Sequence, residues 1–119
     1  MNTTLRIKFR NVEASPALEE DVRNRAADLE RFSDDIGSCD VIVEAPHRHQ
    51  HHGVIYHVRI RLVVSGEELV VSRDPPEAHA HEDLYVAIRD AFAASRRQLE
   101  DHVRKRRTRR QEAARAVEP

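Results

Sequence analysis

The chain has 119 residues, 39% of them apolar and 34% charged, so it can form one modest core and is too short for two. The formal net charge of −1 hides a segregation, because residues 1–95 carry 11 basic and 17 acidic side chains whereas residues 96–119 carry 9 and 4. A single Cys39 excludes an internal disulfide and predicts a cytoplasmic protein, and no apolar run has the ~20 residues of a membrane span.

The first two predicted elements are a strand and a helix. Residues 4–10, TLRIKFR, alternate between apolar and basic side chains, which is the period of a half-buried strand. A helix follows, with Ser15 as N-cap, Pro16 in the first helical position and Gly37 as the stop. Its apolar side is formed by Leu18, Val22, Ala26 and Leu29, and its outer side is largely acidic.

Three further strands are predicted in the middle of the chain. Alternation in the second of them places Arg59 and Arg61 on the solvent side. Ser65 and Gly66 form a tight turn between the last two strands, and these three strands should form an antiparallel meander. The three segments are 39–45, 54–64 and 67–73.

A long second helix is predicted from Asp83, its N-cap, to about residue 107. Its apolar stripe is formed by Leu84, Ile88, Phe92, Leu99 and Val103. A basic ridge lies about a third of a turn away and consists of Arg89, Arg96 and Arg107, flanked by Arg97 and Arg104. Residues 108–119 either extend this helix or form a disordered tail, and the pattern leaves both open.

The element order β-α-β-β-β-α predicts an α+β domain over residues 1–107, followed by a basic C-terminal tail over residues 108–119. The β-α-β start implies that the first two strands are parallel. Both helices should cover one face of a four-stranded sheet, because each strand has only one apolar face to bury. The spacing of Phe9, Phe32 and Phe92 assigns all three rings to the core.

Two segments hold side chains that a metal or a catalyst could use. HRHQHH supplies His47, His49, His51 and His52, which are candidate ligands for zinc, copper or nickel. No Cys or carboxylate stands at a regular spacing beside them, so a polar loop that touches RNA suits the segment better. HAHEDLY lacks the second His of a zinc protease motif, and Cys39 fits a buried, inert thiol. We therefore expect no enzyme, no cofactor and no small-molecule substrate.

Two stretches resemble the ribosome hibernation promoting factor family, also called ribosomal subunit interface or sigma-54 modulation proteins. RNVEASPALEEDVRNRAADLERFSDDI is similar to the strand-to-helix opening of that family. HEDLYVAIRDAFAASRRQLEDHVRK is similar to its Asp-x-Tyr-x-Ala-Ile helix, which ends in Arg-Gln-Leu. Tyr85 stands at the position of the helix Tyr, and we expect it to pack on the sheet with its hydroxyl at the rim. The resemblance covers residues 5 to about 105.

The resemblance implies a partner and a role. Members of the family bind the small ribosomal subunit between head and body, where they occlude the mRNA and tRNA sites and hold the ribosome idle during stress. The acidic partner is then 16S-type ribosomal RNA. The length resembles the short form of the family, so the pairing of two ribosomes would need a second factor. The sequence leaves open whether single ribosomes or dimers result, and which stress acts.

The residues expected to bind RNA phosphates fall into two sets. The helix set is Arg89, Arg96, Arg97, Arg104, Lys105, Arg106 and Arg107. The secondary sheet set, on the solvent face of the strands, is Arg6, Lys8, Arg10, Arg59 and Arg61. Such contacts give affinity without reading bases. Two alternative functions stay open at this point, a general RNA-binding or RNA chaperone module and a His-rich metal-binding protein.

Overall fold

The chain folds into the predicted order of elements, with one short hairpin added. A computed structural model describes residues 3–45, 48–49, 53–54, 56–73 and 83–117. The strands are β1 (Thr4–Arg10), β2 (Ile36–Glu44), β3 (Arg48–His49), β4 (Gly53–Val54), β5 (His57–Val64) and β6 (Glu67–Arg73). The helices are α1 (Pro16–Phe32) and α2 (Leu84–Val117).

The four longer strands form one mixed sheet in the order β1-β2-β5-β6. As predicted, β1 runs parallel to β2, whereas β2, β5 and β6 form an antiparallel meander. β3 and β4 pair with each other in a separate two-stranded ribbon. Ser65 and Gly66 join β5 to β6 with φ angles of 52° and 81°. Two left-handed residues in succession match the twist of the flanking strands, which makes this turn a tight hairpin connection.

One face of the sheet and the apolar sides of both helices form the core. The inward positions of the central strands β2 and β5 alternate with exposed or partly exposed ones, as a half-buried sheet requires. Their buried side chains are Ile36, Cys39, Val41, Val43, Val58, Ile60, Leu62 and Val64. The helices contribute Leu18, Val22, Ala26, Leu29, Ala87, Ile88, Ala91, Phe92 and Leu99. The α+β architecture with both helices on one face is therefore confirmed.

Both helices begin at the caps that the sequence indicates. The Ser15 hydroxyl accepts a hydrogen bond from the backbone N–H of Leu18 at 3.1 Å, and Pro16 takes the first helical position. At the start of α2, a carboxylate oxygen of Asp83 accepts from the N–H of Tyr85 at 2.8 Å. Each cap satisfies a backbone donor that the first turn leaves without a partner. Within the described residues, neither helix is long and apolar enough to cross a bilayer.

Several boundaries differ from the expectations, and β2 begins at Ile36 instead of Cys39. Gly37 is not the stop of α1, which ends at Phe32, where the N–H of Ser33 bonds to the carbonyl of Leu29. Gly37 instead lies inside β2, at a register shift in its pairing with β5. The predicted strand over 54–64 begins only at His57, because Val54 belongs to the separate ribbon. The second helix continues beyond residue 107 to Val117.

Not all of the aromatic side chains lie where the spacing places them. Phe92 is buried and Phe9 is partly buried against the core, as expected. The assignment of Phe32 to the core is wrong, since 38% of its surface is exposed at the last position of α1. Tyr85, in the first turn of α2, leaves 41% of its surface exposed and is therefore only partly packed.

Candidate nucleic-acid interface

The open face of the sheet carries the sheet set in three rows that cross the strands, and Arg10 is in the last of them, beside Glu44 of β2. In one row Arg6, Asp40 and Arg61 are neighbours on β1, β2 and β5. The Nε of Arg6 lies 2.6 Å from one oxygen of Asp40, and an Nη of Arg61 lies 3.2 Å from the other. Arg61 also donates from Nε to Glu68 at 3.0 Å, and this hydrogen bond is the main reason that the pKa of Glu68 is lowered. Two cations of the sheet set are thus neutralised within the protein.

The next row has no carboxylate. Lys8, Ile42 and Arg59 are aligned across β1, β2 and β5, with Ser72 of β6 beside Arg59. Neither Lys8 nor Arg59 forms an ion pair with any residue in the described part of the chain. A shallow groove of about 440 Å³ runs along these two rows, and Asp40 and Ile42 of the middle strand β2 line it between the cations of β1 and β5. The groove suits an extended anion such as a phosphate backbone.

The two helices differ strongly in charge. α1 carries five acidic and three arginine side chains, and the ion pairs Asp21 with Arg25 and Asp28 with Arg31 neutralise part of them locally. α2 carries four acidic and ten basic side chains. Binding of clustered cations to phosphates releases counterions and is favourable for that reason, so of the two helices only α2 has the charge of a polyanion-binding helix.

Three members of the helix set are held by acidic neighbours on the same helix. Arg89 lies 3.3 Å from Asp90, Arg96 lies 3.1 Å from Glu100, and Arg104 lies 3.3 Å from Asp101. These pairs are exposed and exchange readily with solvent or another anion. The members without an ion pair among the described residues are Arg97, Lys105, Arg106 and Arg107.

Arg96 also lies over the exposed ring of Phe32, with its guanidinium carbon 5.5 Å from the ring centroid. The contact joins the end of α1 to the middle of α2 and orients the guanidinium by a cation–π interaction. Sequence reasoning missed Phe32 as part of this surface, because helical spacing alone made it a core residue. The sequence carries no signal for this, because the predicted stop at Gly37 placed Phe32 inside the helix, whereas α1 ends at Phe32.

The continuation of α2 adds basic residues that were not among the predicted contacts. Arg109, Arg110 and Arg115 are all exposed, and Arg109 is 4.0 Å from Glu67 of β6. No acidic residue stands between Asp101 and Glu112. The signal for Arg109 and Arg110 was present in the segment HVRKRRTRRQ, which the sequence left divided between helix and tail.

The sheet set and the helix set lie on opposite sides of the domain. The helices cover the inner face of the sheet, so the solvent side of α2 points away from the open face. The domain is only 17 Å across its shortest axis but 69 Å along its longest. A single flat surface can therefore contact one set or the other, and contact with both requires RNA on two sides.

The other candidate groups take no part in these surfaces. His47, His51 and His52 lie outside the described residues, and His49 is described only as backbone in β3. Among the described residues, no three His, Cys, Asp or Glu side chains stand close enough to hold a metal. Cys39 is buried in β2, and burial, with smaller contributions from Asp40 and Glu30, raises the pKa of its thiol to about 12. The thiol is inert at neutral pH, as expected.

Comparison with known proteins agrees with this description. No curated protein matches the chain significantly. The N-terminal domain of Protein Y from Thermus thermophilus superposes with a TM-score of 0.65 at 21% identity, covering 86% of this chain and 99% of that one. A ribosomal subunit interface protein from Coxiella burnetii gives 0.58 at 17% identity, covering 83% and 96%. Residues 5–107 match the family model described as sigma 54 modulation protein / S30EA ribosomal protein. The chain therefore belongs to this family of ribosome-associated modulation proteins.

Proposed function

We propose that this protein binds the small ribosomal subunit through its 16S-type RNA and blocks translation by occupying the mRNA and tRNA channel during stress. Membership of the family already makes it a ribosome-associated protein, and the family is not known to contain enzymes. The observation that supports an RNA contact is the run of cations on α2 that form no ion pair with any residue in the part of the chain that the structure describes. We place the protein in the cytoplasm, where ribosomes are.

Cations without an internal partner favour phosphate binding for a simple reason. Arg97, Lys105 and Arg107 are exposed and form no ion pair with the described residues, so they need not give up an internal contact to bind RNA. Arg104, in contrast, must exchange Asp101 for a phosphate. Each phosphate that a cation neutralises releases counterions and adds about 0.7 to 0.9 to the slope of log affinity against log salt.

Co-sedimentation with small subunits at several salt concentrations tests the proposal. The helix variant is Arg97→Gln, Lys105→Gln, Arg107→Gln, and the matched sheet variant is Lys8→Gln, Arg10→Gln, Arg59→Gln. Both lose three positive charges, but from opposite sides of the domain. We expect the helix variant to lower the salt slope by about 2 to 3 and the sheet variant to lower it less.

Two results would overturn the assignment. One is a wild-type protein that does not migrate with the small subunit at any salt concentration. The other is a helix variant that binds like wild type while its circular dichroism shows an intact fold. Equal losses in both variants would mean that net charge, and not the α2 surface, governs binding. Excess bulk RNA that displaces the protein completely would point to a general RNA-binding module.

Steric blocking needs a separate measurement. Small subunits programmed with mRNA and saturated with the protein should bind less tRNA than the same subunits without the protein. When the helix variant replaces wild type, tRNA binding should return to the level of free subunits. Unchanged tRNA binding on saturated subunits would refute the blocking mechanism while leaving subunit binding intact. Sedimentation of whole ribosomes through a density gradient separates ribosome dimers from single ribosomes. We expect dimers to form only with a second factor.

A further inference from the structure

A small hollow lies where α2 passes the end of the sheet. It is bordered by Asp35, just before β2, by Val64 at the end of β5, and by one side of α2. The residues from α2 are His102, Val103, Arg106, Arg107 and Arg110. Its volume of about 140 Å³ is below the ~300–1,000 Å³ of pockets that enclose a whole ligand. The size suits one group of a larger molecule, or a small ion.

The charge of this hollow is not balanced by the protein. Arg106, Arg107 and Arg110 line it together, and none of them forms an ion pair or hydrogen bond with a described residue. Asp35 is the one carboxylate among the lining residues, and it lies beyond ion-pair distance of the three arginines. Three guanidinium groups around one hollow repel each other, and an anion between them removes that repulsion.

His102, one of the residues that line the hollow, has a buried polar atom without a hydrogen-bond partner among the described residues. Its imidazole is buried, and Nδ1 lies 3.1 Å from a carboxylate oxygen of Glu67 on β6. A neutral ring therefore carries its hydrogen on Nδ1 and donates it to Glu67, which leaves Nε2 as an acceptor. Nε2 is buried and has no hydrogen-bond partner among the described residues. A buried polar atom of this kind costs free energy unless a ligand or water satisfies it.

We propose that this hollow binds a phosphate group, with the guanidinium groups of Arg106, Arg107 and Arg110 on its oxygens and protonated His102 donating from Nε2. Arginine is suited to this because its planar donors match phosphate oxygens two at a time. The phosphate is either part of an RNA backbone, which rests on the function proposed above, or a free phosphate. Phosphate binding is then coupled to proton uptake by His102. The charged residues on the other side of the His102 ring are Glu67, Asp101, Lys105 and Arg109.

Nuclear magnetic resonance on the ¹⁵N-labelled full chain tests the site directly. Inorganic phosphate is titrated at pH 7 against sodium chloride of equal ionic strength. We expect the ring nitrogens of His102 to shift toward the imidazolium values in a saturable manner with phosphate and not with chloride. The variant Arg106→Gln, Arg110→Gln should weaken this response at least tenfold. The variant Arg97→Gln, Arg104→Gln, with the same charge change but outside the hollow, should keep it.

Either of two outcomes overturns the site: no phosphate-dependent shift of His102, or a shift that persists in the Arg106→Gln, Arg110→Gln variant. Sedimentation of that variant then identifies the source of the phosphate. Loss of small-subunit binding, together with displacement of wild type by inorganic phosphate, assigns the hollow to an RNA phosphate. Unchanged subunit binding with a saturable His102 shift assigns it to free phosphate. Because the titration uses no ribosome, failure of subunit binding and failure of this site are distinguishable.

Discussion

Replacing Asp40 by Asn tests whether the pairs on the open face of the sheet behave as surface ion pairs. The substitution keeps the shape of the side chain and removes the charge that lies between Arg6 and Arg61. These two contacts connect β1, β2 and β5 across three neighbouring strands. Arg61 retains Glu68, at 3.0 Å, as its second partner, whereas Arg6 loses the one ion pair that it forms with the described residues.

The expected loss follows from the exposure of the three side chains. Arg6 is 66% exposed and Arg61 is 40% exposed, whereas Asp40 is 20% exposed. Ion pairs open to solvent contribute roughly 0.2–1 kcal/mol each. We therefore expect Asp40→Asn to lower the free energy of unfolding by about 1 kcal/mol. With a denaturant slope of about 1–3 kcal/mol/M for a domain of this size, the urea midpoint falls by roughly 0.3–1 M.

Urea unfolding followed by circular dichroism measures this shift at 20 mM and at 500 mM NaCl. The loss should shrink at high salt, because the pairs remain in contact with solvent and are screened. The control is Asp28→Asn, which removes one pair with Arg31 on α1, where both partners are more than half exposed, and should cost less than ~0.5 kcal/mol. A loss above ~3 kcal/mol that does not depend on salt would refute the reasoning, since it would mean that Asp40 acts as a buried charge.

Three further predictions concern the core and the titratable groups. Replacing Ile60, which is fully buried in β5, by Ala should lower the free energy of unfolding by about 2–5 kcal/mol, as the same urea unfolding measures. Cys39, with its pKa raised by burial to about 12, should resist iodoacetamide at pH 8 in the native protein and react in urea, as mass spectrometry will show. Arg61 lowers the pKa of Glu68, so this pair stabilises the fold above the ordinary Glu pKa of 4.5 and loses its effect as the pH falls through the folded value. In a plot of the urea midpoint against pH, the fall toward acid pH should accordingly be less steep for Glu68→Gln than for wild type.

Local patterns in the sequence were sufficient for most of the fold. Strict alternation in residues 4–10 identified β1 and its solvent-facing cations, and Ser15 with Pro16 marked the start of α1. These signals act between residues a few positions apart, so they survive without knowledge of the rest of the chain. The continuation of α2 to Val117 was left open, although no Gly or Pro interrupts the chain between residues 84 and 117.

The candidate site depended more on contacts between distant residues. Asp40 neutralises Arg6, 34 positions away, and Arg61, 21 positions away, so two cations of the sheet set are already occupied. Periodicity gave the face of each strand but not the register that aligns them. Phe32 under Arg96 depends in the same way on how α1 packs against α2.

The sequence by itself determined the α+β order, the family and the concentration of positive charge on α2, because each rests on composition or on spacing along the chain. Only the tertiary structure decided which cations form no ion pair with another described residue. It also brought His102, Arg106 and Arg110 to one hollow beside Asp35 and Val64. Ion pairs and hollows depend on distances of a few ångströms between separate elements, and those distances are set by how α2 packs on the sheet.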